Sequence, residues 1–262
     1  MRGRMSLELA QWAEKSSKQL EGLIKKCKVA ILPIGSTEQH GPHLPTGTDH
    51  IIGWEIAKRV AEKTGSLLLP IIPVGFSEDH YPRAGTLTFS AETLRQVIRD
   101  LAKSLSRNGV KHIVVMSGHA GHLAQLSDIC YELNVTGELR DTLIHNISPY
   151  NVLPIEALAE ILEEEVFMHA EELETSLMLF LRPDLVDMSK AVKEIPPYIP
   201  KGLNTPAFLE GIRVFTTSKF LGRDLKHGVC GDPILATKEK GEKLMNLIVD
   251  ALTRAVKKAT ET

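Results

Sequence analysis

The feature that most restricts the fold is an alternation of short apolar runs with helical patterns along the chain. Four apolar runs have the length of buried strands, at residues 28–34, 67–74, 112–116 and 142–147. A polar stretch and then apolar residues at helical spacing come after each run. A strand–loop–helix unit repeated four times indicates an α/β fold, with a mostly parallel sheet and helices on both faces.

Helices are predicted at about residues 6–26, 51–64, 90–108, 123–133, 154–165, 171–181 and from 238 onward. Ser90 is a natural N-cap with Glu92 in the following turn, and Gly65 is placed to end a helix. Residues 185–235, rich in proline and glycine, form the least regular part. No linker divides the chain, so one domain over residues 1–262 is expected.

Charge and cysteine content restrict the partners and the compartment. Lys and Arg number 31 against 33 Asp and Glu, a formal net charge of −2, and no basic patch predicts a nucleic-acid partner. No apolar run is long enough for a bilayer span and no signal peptide is recognised, so no membrane association is expected. Cys27, Cys130 and Cys230 stand far apart, which favours a reducing cytoplasm.

The loop after the first apolar run is dense in metal-ligating side chains. It holds Glu38, His40, His43, Asp49 and His50 within residues 35–50. Glu38 and His40, two residues apart, project to the same side of an extended segment. Carboxylate oxygen and imidazole nitrogen together suit divalent zinc, manganese or iron. The alternative is a polar turn that caps the next helix, with Asp49 as its N-cap.

The positions of the histidines favour the metal interpretation. Of ten histidines, six lie in the loops after the first three runs: His40, His43, His50, His80, His119 and His122. Catalytic groups of parallel α/β sheets gather at the carboxyl ends of the strands, which is where these loops start. A shared metal site is therefore predicted.

Two further polar segments have the character of a site. Residues 117–122 are neither a nucleophile elbow nor a dinucleotide fingerprint, but their small residues leave room around His119. In residues 169–176, Glu171 and Glu172 are expected on a solvated helix face. Glu174 precedes an apolar run, and because an unpaired buried carboxylate is costly, a functional role is favoured for it.

These segments resemble the creatininase (creatinine amidohydrolase) family. The similar stretches are residues 33–49, 84–88, 117–122, 169–176 and 228–233, within about residues 28–245. The resemblance implies a three-layer α/β/α sandwich and a homo-oligomer, which in this family is often a hexamer.

The resemblance also implies roles for individual residues. Glu38, Asp49 and His119 match ligands of one metal ion, and His40 with the same bridging Asp49 matches ligands of a second. His169 and Glu174 match the family's catalytic histidine and its companion acid.

Two departures from the family pattern concern residues 117–122. Creatininase has a glutamate where this chain has Gly121, so the second metal position is one ligand short. Water or Glu174 would take the place of that ligand, or the place would stay empty. Many relatives have Asn-Gly-His-Gly-Gly-Asn where this chain has Ser-Gly-His-Ala-Gly-His. The first departure argues against creatinine as the substrate.

The function implied is a metal-dependent amidohydrolase of the cytoplasm with a small-molecule substrate. It would cleave a C–N amide, of cyclic amide or N-formyl type, with a metal-activated hydroxide, and His169 would protonate the departing nitrogen. A metal-dependent isomerase or epimerase and a metal-binding module without turnover remain alternatives. The substrate and the roles of His43, His50, His80 and His122 are left unassigned.

Overall fold

The computed structural model describes residues 9–153, 155–164, 168–195 and 221–261. Its strands are β1 (Ala10–Gln11), β2 (Val29–Ile34), β3 (Leu67–Leu68), β4 (His112–Ser117) and β5 (Leu143–Asn146). The helices of this part of the chain are α1 (Ser17–Lys26), α2 (Thr48–Thr64), α3 (Ala91–Arg107), α4 (Leu123–Thr136), α5 (Pro149–Val152), α6 (Ile155–Ala159), α7 (Glu172–Leu181), α8 (Leu221–Asp224) and α9 (Lys238–Ala259).

The five strands form one sheet in the order β1-β3-β2-β4-β5. All of its paired neighbours run parallel, and β2 and β4 pair along their whole length, from Val29 opposite His112 to Ile34 opposite Ser117. The mostly parallel sheet predicted from the four apolar runs is confirmed. Because β2 and β4 lie side by side, the loops that follow them start at the same edge of the sheet.

Alternate residues of the central strands pack into two separate cores, one on each face of the sheet. Ile31 and Val114 belong to the core shared with α2, α7 and α9. Leu32 and Val115 belong to the other core, built with α1, α3 and α4. Side chains of a strand alternate between faces, so helices cover both sides of the sheet. This arrangement is the expected three-layer α/β/α sandwich.

Several helix ends follow the capping signals in the sequence. Ser90 is the N-cap of α3 and accepts a hydrogen bond from the Thr93 N–H, as predicted. Gly65 ends α2 in the left-handed conformation, with φ of 70°.

Three predicted elements are shorter than the sequence indicated. Residues 6–8 of the helix expected over 6–26 lie outside the described part; within residues 9–26 the α-helix covers Ser17–Lys26, because Ser16 caps it by a reciprocal capping box with Gln19. The strand expected over 67–74 is limited to β3, since Pro70 and Pro73 carry no N–H for the ladder.

The predicted helix 154–165 is also shortened, to α6, and its two outermost residues lie outside the described part. Residues 196–220, about half of the segment predicted to be irregular, lie outside it as well. No helix among the described residues is long and apolar enough to span a bilayer.

Candidate metal centre

Six buried side chains from separate segments meet at the carboxyl edge of β2 and β4. Glu38 and His40 lie on the loop after β2, and Asp49 lies in the opening turn of α2. His119 follows β4, His169 precedes α7, and Glu174 lies in the first turn of α7. All six were predicted as site residues.

Asp49 lies between two imidazoles. Its Oδ1 is 3.1 Å from His40 Nε2, and its Oδ2 is 2.9 Å from His119 Nδ1. The N-cap of α2 is Gly47, and the Asp49 side chain makes no capping hydrogen bond. The alternative in which Asp49 only caps a helix is therefore wrong.

Glu38 uses its two carboxylate oxygens differently. Oε2 accepts a hydrogen bond of 2.6 Å from Ser36 Oγ, which fixes the carboxylate plane. Oε1 points at the cluster and lies 3.2 Å from His119 Nδ1. Burial raises the pKa of Glu38, but the neighbouring His119 and His80 outweigh it and hold that pKa well below its ordinary value.

Two of these oxygens, Glu38 Oε1 and Asp49 Oδ2, are buried without a hydrogen-bond partner. Each lies close to a ring nitrogen, yet the ring N–H directions do not meet hydrogen-bond geometry. Atoms bound at about 2.0–2.2 Å to one divalent ion lie roughly 3–3.5 Å apart, and the contacts here are of that size. The donor set and the two open oxygens thus fit a divalent metal ion.

His40 is oriented to present a lone pair to the cluster. Its Nδ1 is 3.1 Å from the Glu38 backbone carbonyl and donates to it, so neutral His40 carries its proton on Nδ1. Nε2 then faces Asp49 and lies 3.6 Å from Glu174 Oε2. Without an ion, burial lowers the pKa of His40, but Asp49 outweighs this and raises it to about 10.

His169 is fixed in one tautomer. Its Nε2 donates to the Gln39 carbonyl at 2.7 Å, so Nδ1 carries the lone pair and faces Glu38 Oε1 at 3.8 Å. Burial, with the neighbouring His80 and His40, lowers its pKa well below the ordinary value. His169 is therefore a neutral imidazole whose inward nitrogen accepts a proton before it can donate one.

The residue after His169 carries backbone strain. Ala170 adopts a left-handed φ of 51°, which is unfavourable for a residue with a Cβ. Its N–H donates to Glu174 Oε2 at 2.7 Å, and this bond ties the turn to α7. The strained turn holds His169 and Glu174 on the same side of the cluster.

Glu174 lies beside His40 and Asp49, the two residues that the resemblance assigns to the second ion. It belongs to a group with His40 and Asp49 whose donor atoms lie within 4.8 Å of one another. Burial, opposed by His40, raises the pKa of Glu174 to about 8. A Cβ on Gly121 would lie 2.4 Å from His119 Nε2, so a side chain there requires His119 to move.

Three of the histidines left unassigned face away from the cluster. His43 contacts Thr175 Oγ1 through Nε2 at 2.9 Å, and His122 bonds the Phe76 N–H and Ser117 Oγ. His50 lies in α2, half-buried. Thr37 Oγ1 lies 3.4 Å from His50 Nδ1, so each of the three rings has a hydroxyl partner outside the cluster.

The fourth unassigned histidine, His80, belongs to the cluster and was missed. Its Nε2 is 3.2 Å from Glu38 Oε1. The available signal was its place in a loop after an apolar run, but the sequence does not reveal how the loop of residues 75–90 folds back over Glu38.

The expectation that Glu171 and Glu172 lie on a solvated helix face is wrong, since both are buried. Glu172 Oε2 accepts from the Glu163 and Glu164 N–H groups at 2.8 and 2.9 Å, and Oε1 pairs with Lys240 Nζ. Two backbone N–H groups eight and nine residues away and one distant lysine from α9 satisfy this carboxylate.

Comparison with known proteins agrees with this geometry. The family model described as creatinine amidohydrolase matches residues 13–256. Creatinine amidohydrolase of Pseudomonas putida is 29% identical over 245 residues, 87% of this chain and 88% of that protein. The mycofactocin precursor peptide peptidase of Mycolicibacterium smegmatis is 27% identical over 249 residues, 93% of this chain and 89% of that protein.

A shorter match joins the chain to a deformylase. The 2-amino-5-formylamino-6-ribosylaminopyrimidin-4(3H)-one 5'-monophosphate deformylase of Methanosphaera stadtmanae is 29% identical over 102 residues, 38% of this chain and 44% of that protein. Among solved structures, one titled as the Mn form of creatininase matches with a TM-score of 0.79 and 25% identity. It covers 97% of this chain and 100% of that one.

The fold, the donor set and these relatives define the class as a metal-dependent hydrolase that acts on carbon–nitrogen bonds. Within that class, the chain belongs to the creatinine amidohydrolase family.

Proposed function

We propose that this chain, as one domain over residues 1–262, hydrolyses the C–N amide bond of a small molecule at a divalent metal centre. The observation that carries the proposal is the pair of buried oxygens without hydrogen bonds, Glu38 Oε1 and Asp49 Oδ2, among inward-facing imidazole nitrogens. Such a set is costly without a cation, because buried polar atoms are normally satisfied.

Two overlapping ligand sets follow from the separations. Glu38, Asp49 and His119 would hold one ion, and His40 with Asp49 would hold a second. Glu174, 3.6 Å from His40 Nε2, would supply the ligand missing at Gly121. When bound, a divalent ion polarises a carbonyl and lowers the pKa of water toward about 7.

His169 would handle the proton of the reaction. Its neutral tautomer leaves Nδ1 free to take a proton from the attacking water, while the Gln39 carbonyl holds Nε2–H. The proton on Nδ1 is then available to the departing nitrogen, a general acid–base contribution of about 10²–10⁴-fold. In this proposal His169 acts first as a general base and then as the general acid expected from the sequence.

The ligand role of Glu174 has its own test. Glu174→Gln keeps the size of the side chain but removes the charge, and we expect it to weaken only one of two equivalents of metal. The measurement is a metal titration with a competing chelator. Two equivalents bound as in the wild type, with unchanged kcat, would return Glu174 to a structural role.

For the substrate we infer a cyclic amide or an N-formyl amide other than creatinine. Gly121 replaces the glutamate of creatininase, and His119 fills the space a side chain would need there. The named deformylase and peptidase relatives act on bonds of the same C–N type and support a hydrolytic function.

The experiment is a panel of cyclic amides, N-formyl compounds and short peptides incubated with metal-loaded enzyme. Metal-dependent release of amine or formate supports the proposal. Mass-neutral conversion would favour an isomerase or epimerase, and stoichiometric metal without turnover would favour a binding module. Either of those results contradicts hydrolysis.

The remaining expectations concern the ion, the assembly and the compartment. Relatives solved in Mn and Zn–Zn forms support manganese or zinc, with iron retained from the donor chemistry. A homo-oligomer, with a hexamer as the family's common form, is testable by light scattering. Three unpaired thiols, at Cys27, Cys130 and Cys230, accord with a cytoplasmic location.

A further inference from the structure

The loop of residues 75–90 is fixed in place beside the cluster. On one side the Leu87 N–H donates to the Thr37 carbonyl at 2.8 Å. On another side the Arg83 Nε–H donates to the Gly222 carbonyl at 2.9 Å. Side chains between these anchors therefore keep a defined position relative to the cluster, which is what the recognition of a ligand requires.

His80 of this loop presents an N–H group to the cluster. Gln39 Oε1 accepts the Gly41 N–H at 3.2 Å, so the Gln39 amide nitrogen donates to His80 Nδ1, which is 3.1 Å away. Burial outweighs the opposing effect of Glu38 and lowers the pKa of His80, so the ring is neutral and its proton is on Nε2. His80 thus brings a hydrogen-bond donor to this side of the cluster, but no charge.

Asp79, the residue before His80, has a carboxylate whose needs the chain does not meet. Its Oδ1 is buried and accepts no hydrogen bond. Its Oδ2 lies 3.7 Å from His80 Nε2, beyond hydrogen-bond distance, and no lysine or arginine of the described residues forms an ion pair with it. Because buried polar atoms are normally satisfied, this oxygen fits a donor that comes from outside the chain.

Asp79 is also the carboxylate of this region that solvent reaches most easily. The side chains of Glu38, Asp49 and Glu174 are 0%, 2% and 11% exposed, whereas that of Asp79 is 28% exposed. Nε2 of His80 is within 4 Å of both Asp79 Oδ2 and Glu38 Oε1. Asp79 therefore lies where a molecule entering from solvent comes near the buried oxygens.

We propose that Asp79 determines specificity by accepting a hydrogen bond from an N–H group of the substrate next to the reacting amide. The class of substrate that this selects is a cyclic or N-formyl amide with an unsubstituted N–H near the bond that is cleaved. A hydrogen bond to a carboxylate is about twice as strong as a neutral one. An analogue without the N–H leaves Asp79 unpaired and is rejected. The inference deepens the proposed function and rests on it in requiring that a ligand binds at the metal centre.

The test compares two hydroxamates that differ in one N–H group. Acetohydroxamate and N-methylacetohydroxamate both bind divalent ions through two oxygens, but only the first carries an N–H. Each is titrated into cobalt-loaded protein, and its Kd is measured by visible absorption. We expect the wild type to prefer acetohydroxamate, and the ratio of the two Kd values to fall by about 10-fold or more in Asp79→Ala. Comparing this ratio between proteins cancels the intrinsic difference between the two probes.

Glu78→Ala is the matched control, because Glu78 is an exposed acid of the same short helical turn. It should keep the wild-type ratio, and the metal content should be the same in all three proteins. If Asp79→Ala does not fold, Asp79→Asn, which keeps the size but loses the charge, takes its place in the comparison.

An unchanged ratio in the folded Asp79 variant overturns the inference, as does failure of both hydroxamates to bind the cobalt-loaded wild type. Loss of metal from the folded variant also overturns it, since Asp79 would then be a ligand. A wild type that binds no cobalt overturns the proposed function and this inference with it. A ratio that falls as expected, without turnover of any amide, would support Asp79 as the recognition residue and contradict hydrolysis.

Discussion

Two clusters of buried carboxylates differ in how their oxygens are satisfied. In the metal-centre cluster, Glu38 Oε1 and Asp49 Oδ2 face imidazoles but lack hydrogen bonds. In the second cluster, Glu172 accepts two backbone N–H groups and pairs with Lys240, and Glu164 accepts the N–H groups of Glu172 and Asp232.

The comparison distinguishes carboxylates that are buried to bind an ion from carboxylates that are buried to hold segments of the chain together. Both clusters withdraw several carboxylates from water, which is costly unless each finds partners. The second cluster finds them within the chain and joins the segment after α6 to α7 and α9. The first leaves two oxygens near imidazole nitrogens without hydrogen bonds, an arrangement that fits ligands of a divalent cation. Substitutions in the two clusters should therefore fail in different ways.

The largest expected effect is that of Asp49→Ala. Asp49 contacts imidazoles of both proposed ion positions, so its loss should remove both equivalents of metal and lower kcat/KM by about 10³-fold or more. His43→Ala and His50→Ala are the controls, measured by elemental analysis after gel filtration. Equal loss of metal in all three variants would show that the wrong members of the loop were assigned.

Next in size is His169→Ala, which should separate chemistry from metal binding. We expect the metal content and the unfolding transition to stay as in the wild type, while kcat falls by about 10²-fold or more because proton transfer is lost. Steady-state kinetics on any substrate found in the panel measures it. A normal kcat with normal metal content would remove His169 from the mechanism.

Glu172→Ala should act on stability and leave the metal in place. It leaves Lys240 and two backbone N–H groups without their acceptor, and breaking a buried pair costs about 3–5 kcal/mol. Urea denaturation should show the loss. Lys238→Ala, at an exposed residue of α9, should change the free energy of unfolding by less than about 0.5 kcal/mol. Loss of metal from folded Glu172→Ala would contradict the assignment of Glu172 to a purely structural cluster.

A smaller effect concerns pH and His43. Burial, and then the nearby His40, lowers the pKa of His43 to about 4 from the ordinary 6.5. Between these values the unfolded chain binds a proton that the folded chain does not, so stability falls as pH decreases from about 6.5 to about 4, by at most about 3 kcal/mol. In metal-free protein, His43→Gln should show a shallower fall by urea denaturation. Equal slopes would contradict this.

The sequence was sufficient for the fold and pointed to most residues of the buried cluster. Apolar runs and helical spacing predicted the parallel sheet, and six residues predicted for the site meet in the structure. Local pattern could not predict that Glu172 would be buried, because its partner Lys240 is 68 residues away. Likewise His80 reaches Glu38 only because the loop of residues 75–90 folds back, as shown by the bridge of Thr37 to Leu87.

The central claim, that the open oxygens of Glu38 and Asp49 belong to a metal centre, is tested most directly by the metal content of the wild-type chain. Protein purified without chelator should contain one to two equivalents of zinc, manganese or iron by elemental analysis, and chelator-stripped protein should take them up again on titration. Substoichiometric metal in the purified protein, together with no uptake of any of the three ions on titration, would contradict the account.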